Sequence, residues 1–177
     1  MRSLSGPAPH GPGRAALWSL RRDSHPGCFV CGPANGCGLG LEFCLGPDGA
    51  VEASFACQGM FEGYPATLHG GIICTLLDGA MTNCLFAHGH AAVTAELRVR
   101  FRHPVITERP AKVRAWIASS LRPLHELAAE LVQEEQVMAT ARGKFLEKTA
   151  QSWFGNGDSL MTKPRGESTD GDAQECF

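Results

Sequence analysis

The chain has 177 residues, 44% of them hydrophobic and 19% charged, with 16 Lys+Arg against 18 Asp+Glu. That is the size of one folded unit with appendages, and the apolar content is sufficient for its own core. A net charge of −2 excludes a dedicated nucleic-acid binder and a disordered polyelectrolyte. The longest apolar stretches, such as Ile72 to Leu77, fall far short of the roughly 18 residues that span a bilayer, so neither nucleic acid nor membrane is expected as a partner.

Residues 1–24 are dominated by Pro, Gly, Ser and Arg without periodicity and read as a flexible leader. Pro7, Pro9 and Pro12 argue against an amphipathic helix there. No continuous apolar core precedes a small-residue cleavage site, so the segment is not a secretory signal, and a cytoplasmic protein is expected. Of eight cysteines, Cys57, Cys74 and Cys84 lie in apolar periodic segments and read as reduced, small hydrophobes. Cys28-Phe29-Val30-Cys31-Gly32, followed by Cys37 and Cys44, has half the look of a zinc knuckle that His25 or Cys44 could complete. A second Cys-x-x-Cys or His pair is missing, so the reading is thiols in a glycine turn before the first strand, or an adventitious disulfide, with no metal and no cofactor.

Residues 39–45 and 51–57 are strand-like and flank Gly46-Pro47-Asp48-Gly49, which predicts a hairpin. Over 70–86 the period changes: Ile73, Leu76, Leu77, Ala80 and Cys84 share one helical face, with Gly71, Thr75, Asp78 and Thr82 opposite. After Gly89 the period is two, with Val93, Ala95, Leu97, Val99 and Phe101 alternating against Thr94, Glu96, Arg98, Arg100 and Arg102. Strands are predicted over 111–119, about 124–133 and 136–146, although Leu127 to Leu131 would also suit a helix. His88 and His90 read as loop residues, and His10, His103 and His125 join no visible constellation. The predicted class is α+β, with a folded domain over 25–147 and a disordered tail over 148–177. One helix cannot cover a wide sheet, which suggests pairing with a second copy.

The chemistry concentrates in Thr67-Leu68-His69-Gly70-Gly71-Ile72-Ile73-Cys74-Thr75-Leu76-Leu77-Asp78. The glycines permit close backbone approach, and the first N–H groups of a helix lack intrahelical acceptors, so they can donate to a developing oxyanion. His69 at the turn can orient a group or donate a hydrogen bond. Asp78, two turns on, has almost the angular position of Gly71, so its carboxylate shares a face with the helix mouth.

This stretch resembles the His-Gly-Gly signature of the hotdog-fold acyl-CoA thioesterases, in particular the PaaI-like group, with the acid nine residues after the histidine. The likeness runs from about Cys28 to Leu146 and includes Cys-Phe-Val-Cys-Gly, Gly38-Leu39-Gly40-Leu41-Glu42-Phe43 and Val93-Thr94-Ala95-Glu96-Leu97. It implies a curled antiparallel sheet of about five to six strands wrapped around one long helix. It also implies dimers or dimers of dimers with active sites at the shared interface. Asp78 would be general base or nucleophile, and the Gly70 or Gly71 amide would polarise the thioester carbonyl, without a metal. Thr94, from the partner subunit, would help hold the attacking water. Some relatives carry an amide side chain shortly before the histidine; here Glu62 or Tyr64 would have to substitute. Arg98, Arg100 and Arg102 line one strand face and suit coenzyme A phosphates, while Met60, Phe61, Met81 and Leu85 are candidates for the acyl wall. The activity so implied is hydrolysis of an acyl-CoA to free acid and coenzyme A; the alternative is a module that binds an acyl thioester, or a carrier protein, without cleaving it.

Overall fold

The computed structural model describes residues 12–147; the tail expected over 148–177 lies outside the described residues. In chain order the elements are α1 (Pro12–Ser24), β1 (Cys44–Leu45), β2 (Val51–Ala56), a 3-10 turn (Gly59–Phe61), β3 (Glu62–Tyr64), β4 (Thr67–Leu68), α2 (Gly70–Ala87), β5 (Ala92–Phe101), β6 (Pro110–Leu121), β7 (Leu124–Gln133) and β8 (Gln136–Glu147). Six strands form one antiparallel sheet in the order β1-β2-β6-β7-β8-β5, and β3 and β4 form a separate short ribbon. This is the predicted α+β hotdog architecture, a sheet laid on one long helix.

The sheet and α2 meet through apolar side chains removed from water. Leu76, Leu77, Met81 and Leu85 of α2 are fully buried with Val51, Val113, Leu127, Leu131 and Phe145 of the sheet, each such burial being worth roughly 2 kcal/mol. Met81 and Leu85 are therefore core residues rather than acyl-wall residues, and Met60 is 63% exposed. Over β7 the ambiguity is resolved as strand. Leu127, Ala129 and Leu131 alternate into the core while the backbone pairs with β6 on one side and β8 on the other, and these non-local ladders override helix propensity. The β7–β8 turn at Glu134 and Glu135 takes φ of 50° and 64°, the two-residue geometry that suits the twist of antiparallel strands.

The first hairpin is shorter than predicted. Only Cys44 and Leu45 pair with β2, around a turn in which Asp48 Oδ1 accepts from the Ala50 N–H at 3.2 Å.

The N-terminal region corrects the expectation of a flexible leader, because residues 12–24 are helical. Pro12 opens that helix at the one position where its missing N–H costs nothing and its fixed φ fits. Leu17 is buried in the core, and Arg22 sits over the Trp18 ring at 4.9 Å. This helix and the turn after it cover the side of α2 turned away from the sheet. Thr82, predicted on a polar face, is consequently buried, and Asn83 is wholly so. Gly79 makes the close approach possible, since a Cβ there would lie 2.6 Å from a Val30 methyl. By length and composition α2 could cross a membrane, but 67% of it is buried inside the fold.

Candidate active site

Three elements converge at the start of α2. His69 caps the helix with extended backbone angles (φ −60°, ψ 133°), and its Nδ1 accepts from the Gly71 N–H at 2.9 Å. That bond puts the proton of the neutral imidazole on Nε2, which is left to donate outward. It also removes the Gly71 amide from the pair of candidate carbonyl donors. The next two amides turn back to the His69 carbonyl, Ile72 at 3.0 Å and Ile73 at 3.2 Å. Gly70 N–H is left without an acceptor among the described residues, at the positive end of the helix. Gly63 of β3 packs against the histidine, where a Cβ would be 3.1 Å from its Cα.

Asp78 projects from α2 toward β5, where Thr94 Oγ1 donates to its Oδ1 at 2.7 Å. Strict alternation places Thr94 on the opposite face from Leu97, Val99 and Phe101. The structure moves it to their face through a bulge: Thr94 pairs with Phe145 and Glu96 with Lys144, leaving Ala95 as the extra residue. Thr94 thus stands opposite the buried Phe145 and meets the helix. The contact forms within one chain, whereas the resemblance implied a hydroxyl supplied by the partner. Burial pushes the Asp78 carboxyl above its ordinary range, the Thr94 bond opposes this, the nearby Cys28 adds to the rise and His25 reduces it.

The remaining predicted residues are placed elsewhere. Glu62 is exposed and spends Oε1 on the Ala66 N–H at 2.7 Å, closing the β3–β4 ribbon; Tyr64 is 81% exposed. Arg98 and Arg100 pair across β5–β8 with Arg142 and Thr140, on the sheet face away from α2. With Arg102 and Trp116 they line a shallow groove of about 400 Å³. The arginines and Asp78 therefore lie on opposite faces of one protomer's sheet.

Two further clusters form, the first hinted at by the Cys28–Cys31 spacing and the second not legible in the sequence. His25, Cys28 and Cys31 bring their ligand atoms within 4.8 Å of one another beside α2, without Cys37 or Cys44. The Cys31 thiol and His25 both hold the Cys28 thiol well below its usual range. At the far end of β7 and β8, His125, fully buried, meets Ser120 Oγ at 2.8 Å through Nδ1 and Glu147 Oε1 at 3.1 Å through Nε2. His90 and Arg122 reach the same Glu147 oxygen, each at 2.9 Å. The available signal was that His125 has the parity of Leu127, Ala129 and Leu131, a histidine on an apolar strand face.

Residues 66–140 match the sequence profile of the thioesterase superfamily. Among solved structures, a thioesterase superfamily protein is 24% identical with a TM-score of 0.65, over 68% of this chain and 60% of its own, so the chain spans three fifths of that protein's length. The phenylacetic acid degradation protein PaaI from Thermus thermophilus, solved as a mutant, is 23% identical (TM-score 0.57; 62% of this chain, 95% of that one). A Streptococcus mutans protein bound to acetyl CoA is 16% identical (TM-score 0.58; 61% and 88%). A search of curated protein sequences finds no match. Residues 66–140 thus resemble the thioesterase superfamily in sequence, and the chain carries the hotdog fold of these solved structures.

Proposed function

We propose that the chain hydrolyses an acyl-CoA thioester to a free acid and coenzyme A. The observation that carries the reading is the 2.7 Å bond from Thr94 to Asp78. It brings a hydroxyl and a partly desolvated carboxylate, remote in sequence, onto the face that also holds the helix mouth.

With Oδ1 held by Thr94, the second oxygen of Asp78 is free to take a proton from water as the water oxygen attacks the carbonyl, or to attack the carbonyl itself. Negative charge developing on the carbonyl oxygen meets the Gly70 N–H, the open donor of the helix start. The thiolate of coenzyme A leaves and takes up the proton that Asp78 removed from water. On the nucleophilic route the thiolate leaves as the acyl–Asp78 anhydride forms, and water then hydrolyses that anhydride to the free acid, supplying the proton. His69, through Nε2–H, orients the thioester rather than serving as the base, since Nδ1 is occupied by Gly71.

A coenzyme A thioester is favoured by the fold-mate that binds acetyl CoA. Arg98, Arg100 and Arg102 would serve its phosphates only from a neighbouring protomer, given the sheet face they occupy. β5 is the edge of the six-stranded sheet, and a second copy paired there would extend the sheet and place two sites near one seam.

The test is acyl-CoA loss across short, long and aromatic acyl groups, followed by mass spectrometry because free thiols would confuse a thiol-reactive dye, with Asp78→Asn in parallel. Turnover that disappears in the variant is the expected result. Retained acyl-CoA binding without turnover in the wild type would overturn it in favour of a binding module.

A further inference from the structure

The turn between α1 and β1 contains a side-chain cluster that the hydrolytic reading does not use. His25 follows the end of α1, its N–H donating to the Arg21 carbonyl at 3.0 Å; Cys28 N–H donates to His25 O at 3.2 Å and Gly32 N–H to Cys28 O at 2.8 Å. One backbone coil therefore presents an imidazole and two sulfurs to the same point, with ligand atoms within 4.8 Å of one another. Tetrahedral coordination with metal–sulfur bonds of about 2.3 Å and metal–nitrogen bonds of about 2.0 Å needs separations near 3.5–3.8 Å.

The surroundings are built to match. Asn83 of α2, 0% exposed, donates from Nδ2 to Cys31 Sγ at 3.4 Å and to the Gly79 carbonyl at 2.8 Å. Phe86 meets the His25 ring edge-on, with centroids 5.0 Å apart. Two buried side-chain atoms among the described residues have no hydrogen-bond partner, His25 Nδ1 and Asn83 Oδ1, and both belong to residues of this cluster or in contact with it. Such orphans are costly and call for a partner. A Cys28–Cys31 disulfide would satisfy neither. A cation bound through the imidazole Nδ1 would give that nitrogen its partner, and a water completing its coordination would be a donor for the Asn83 amide oxygen.

We infer that His25, Cys28 and Cys31 bind a zinc-class divalent cation, with Asn83 as the supporting residue that orients Cys31. The His90, His125 and Glu147 cluster does not qualify by the same standard. Its groups already satisfy one another, and the Arg122 cation occupies the Glu147 oxygen that a metal would need.

The experiment uses the full chain, expressed without a metal-affinity tag, reduced, stripped with a chelator and titrated with Zn²⁺ against a competing chromophoric chelator, then with Co²⁺. The expected result is about one cation per chain, with a Co²⁺ spectrum showing thiolate-to-metal charge transfer and intense tetrahedral d–d bands. Cys28→Ser and Cys31→Ser should weaken binding by more than the roughly 10–100-fold assigned to loss of a supporting residue, the loss expected for Asn83→Ala. Cys44→Ser, exposed and outside the cluster, should leave it unchanged. Three results would each overturn the inference: no binding above trace, Co²⁺ binding without charge transfer, or full affinity retained in well-folded Cys28→Ser protein. Because the wild-type Co²⁺ spectrum reports the donor atoms directly, the test stands even if a cysteine variant fails to fold.

Discussion

Around His125, both ring nitrogens are bonded, Ser120 is engaged, and His90, His125 and Arg122 converge on one oxygen of Glu147. Around Asp78, by contrast, one carboxylate oxygen, the Gly70 N–H and the His69 Nε2–H are left for something that is not protein. The first arrangement spends its polar groups on cohesion, where an unmade bond at a buried position is costly. The second accepts a half-buried carboxylate whose charged form is disfavoured and keeps its donors in reserve, as a site must if its interactions are to form with a reacting group. Both regions contain a carboxylate and a histidine. What remains unpaired separates them.

The contrast is most severely tested at Asp78. Asp78→Asn should reduce turnover by about 10²–10⁴-fold while leaving thermal stability unchanged or higher. The sign follows from the raised folded-state pKa. The folded form binds the proton more tightly than the unfolded chain does, so the charged carboxyl costs stability as pH rises above the ordinary carboxylate range, and the amide removes that cost at neutral pH. A variant that lost stability along with rate would place Asp78 among the cohesive groups. The wild-type rate should fall on the acid side at a pH above the ordinary aspartate range, as read from a kcat–pH profile.

His125→Ala should behave inversely, losing about 3 kcal/mol in denaturant unfolding, since a fully buried side chain with two bonded nitrogens is removed. Its folded fraction should keep the wild-type kcat. A large loss of kcat in fully folded His125→Ala would erase the distinction between the regions.

Thr94→Ala is expected to lower the rate about tenfold, the worth of one hydrogen bond of roughly 1–1.5 kcal/mol. Because the hydroxyl favours the charged carboxylate, its removal should also move the acid limb of the pH profile upward, and Thr94→Ser should restore both. The smallest effect concerns Glu147. Partial desolvation of its carboxyl raises its pKa, but the bonds from His90, His125 and Arg122 outweigh this and hold it below the ordinary range. Its contribution to stability is therefore present above the ordinary carboxylate range and lost as pH falls through the folded-state value. Melting temperature followed against pH should show that acid decline in the wild type and a flatter curve in Glu147→Gln.

Much of the architecture was legible because it is written in local periodicity. The 3.6-residue pattern around Leu76, Leu77 and Ala80, the alternation of the later strands and the glycine punctuation before α2 each depend on side chains a few positions apart. The proximity of His69, Gly70 and Asp78 was legible for the same reason, since one helix carries them. Residues 12–24 were misread because proline at a helix start and proline inside a helix look alike in composition.

By itself, then, the sequence determined the central helix, the period-two strands on either side of it and which helix face carries the acid, while the helix over 12–24 and the choice of strand over 124–133 came from the tertiary structure. Tertiary structure alone decided that Ala95 is the bulged residue that turns Thr94 toward Asp78, and that Gly70 rather than Gly71 keeps a free amide. It also decided that α1 and the Cys28–Cys31 turn seal the back of α2, and that the arginines face away from Asp78. Those outcomes turn on strand register, cap geometry and packing between residues far apart in the chain. Their energies are set by which surfaces meet once the whole fold has formed, and no window of neighbouring residues contains them.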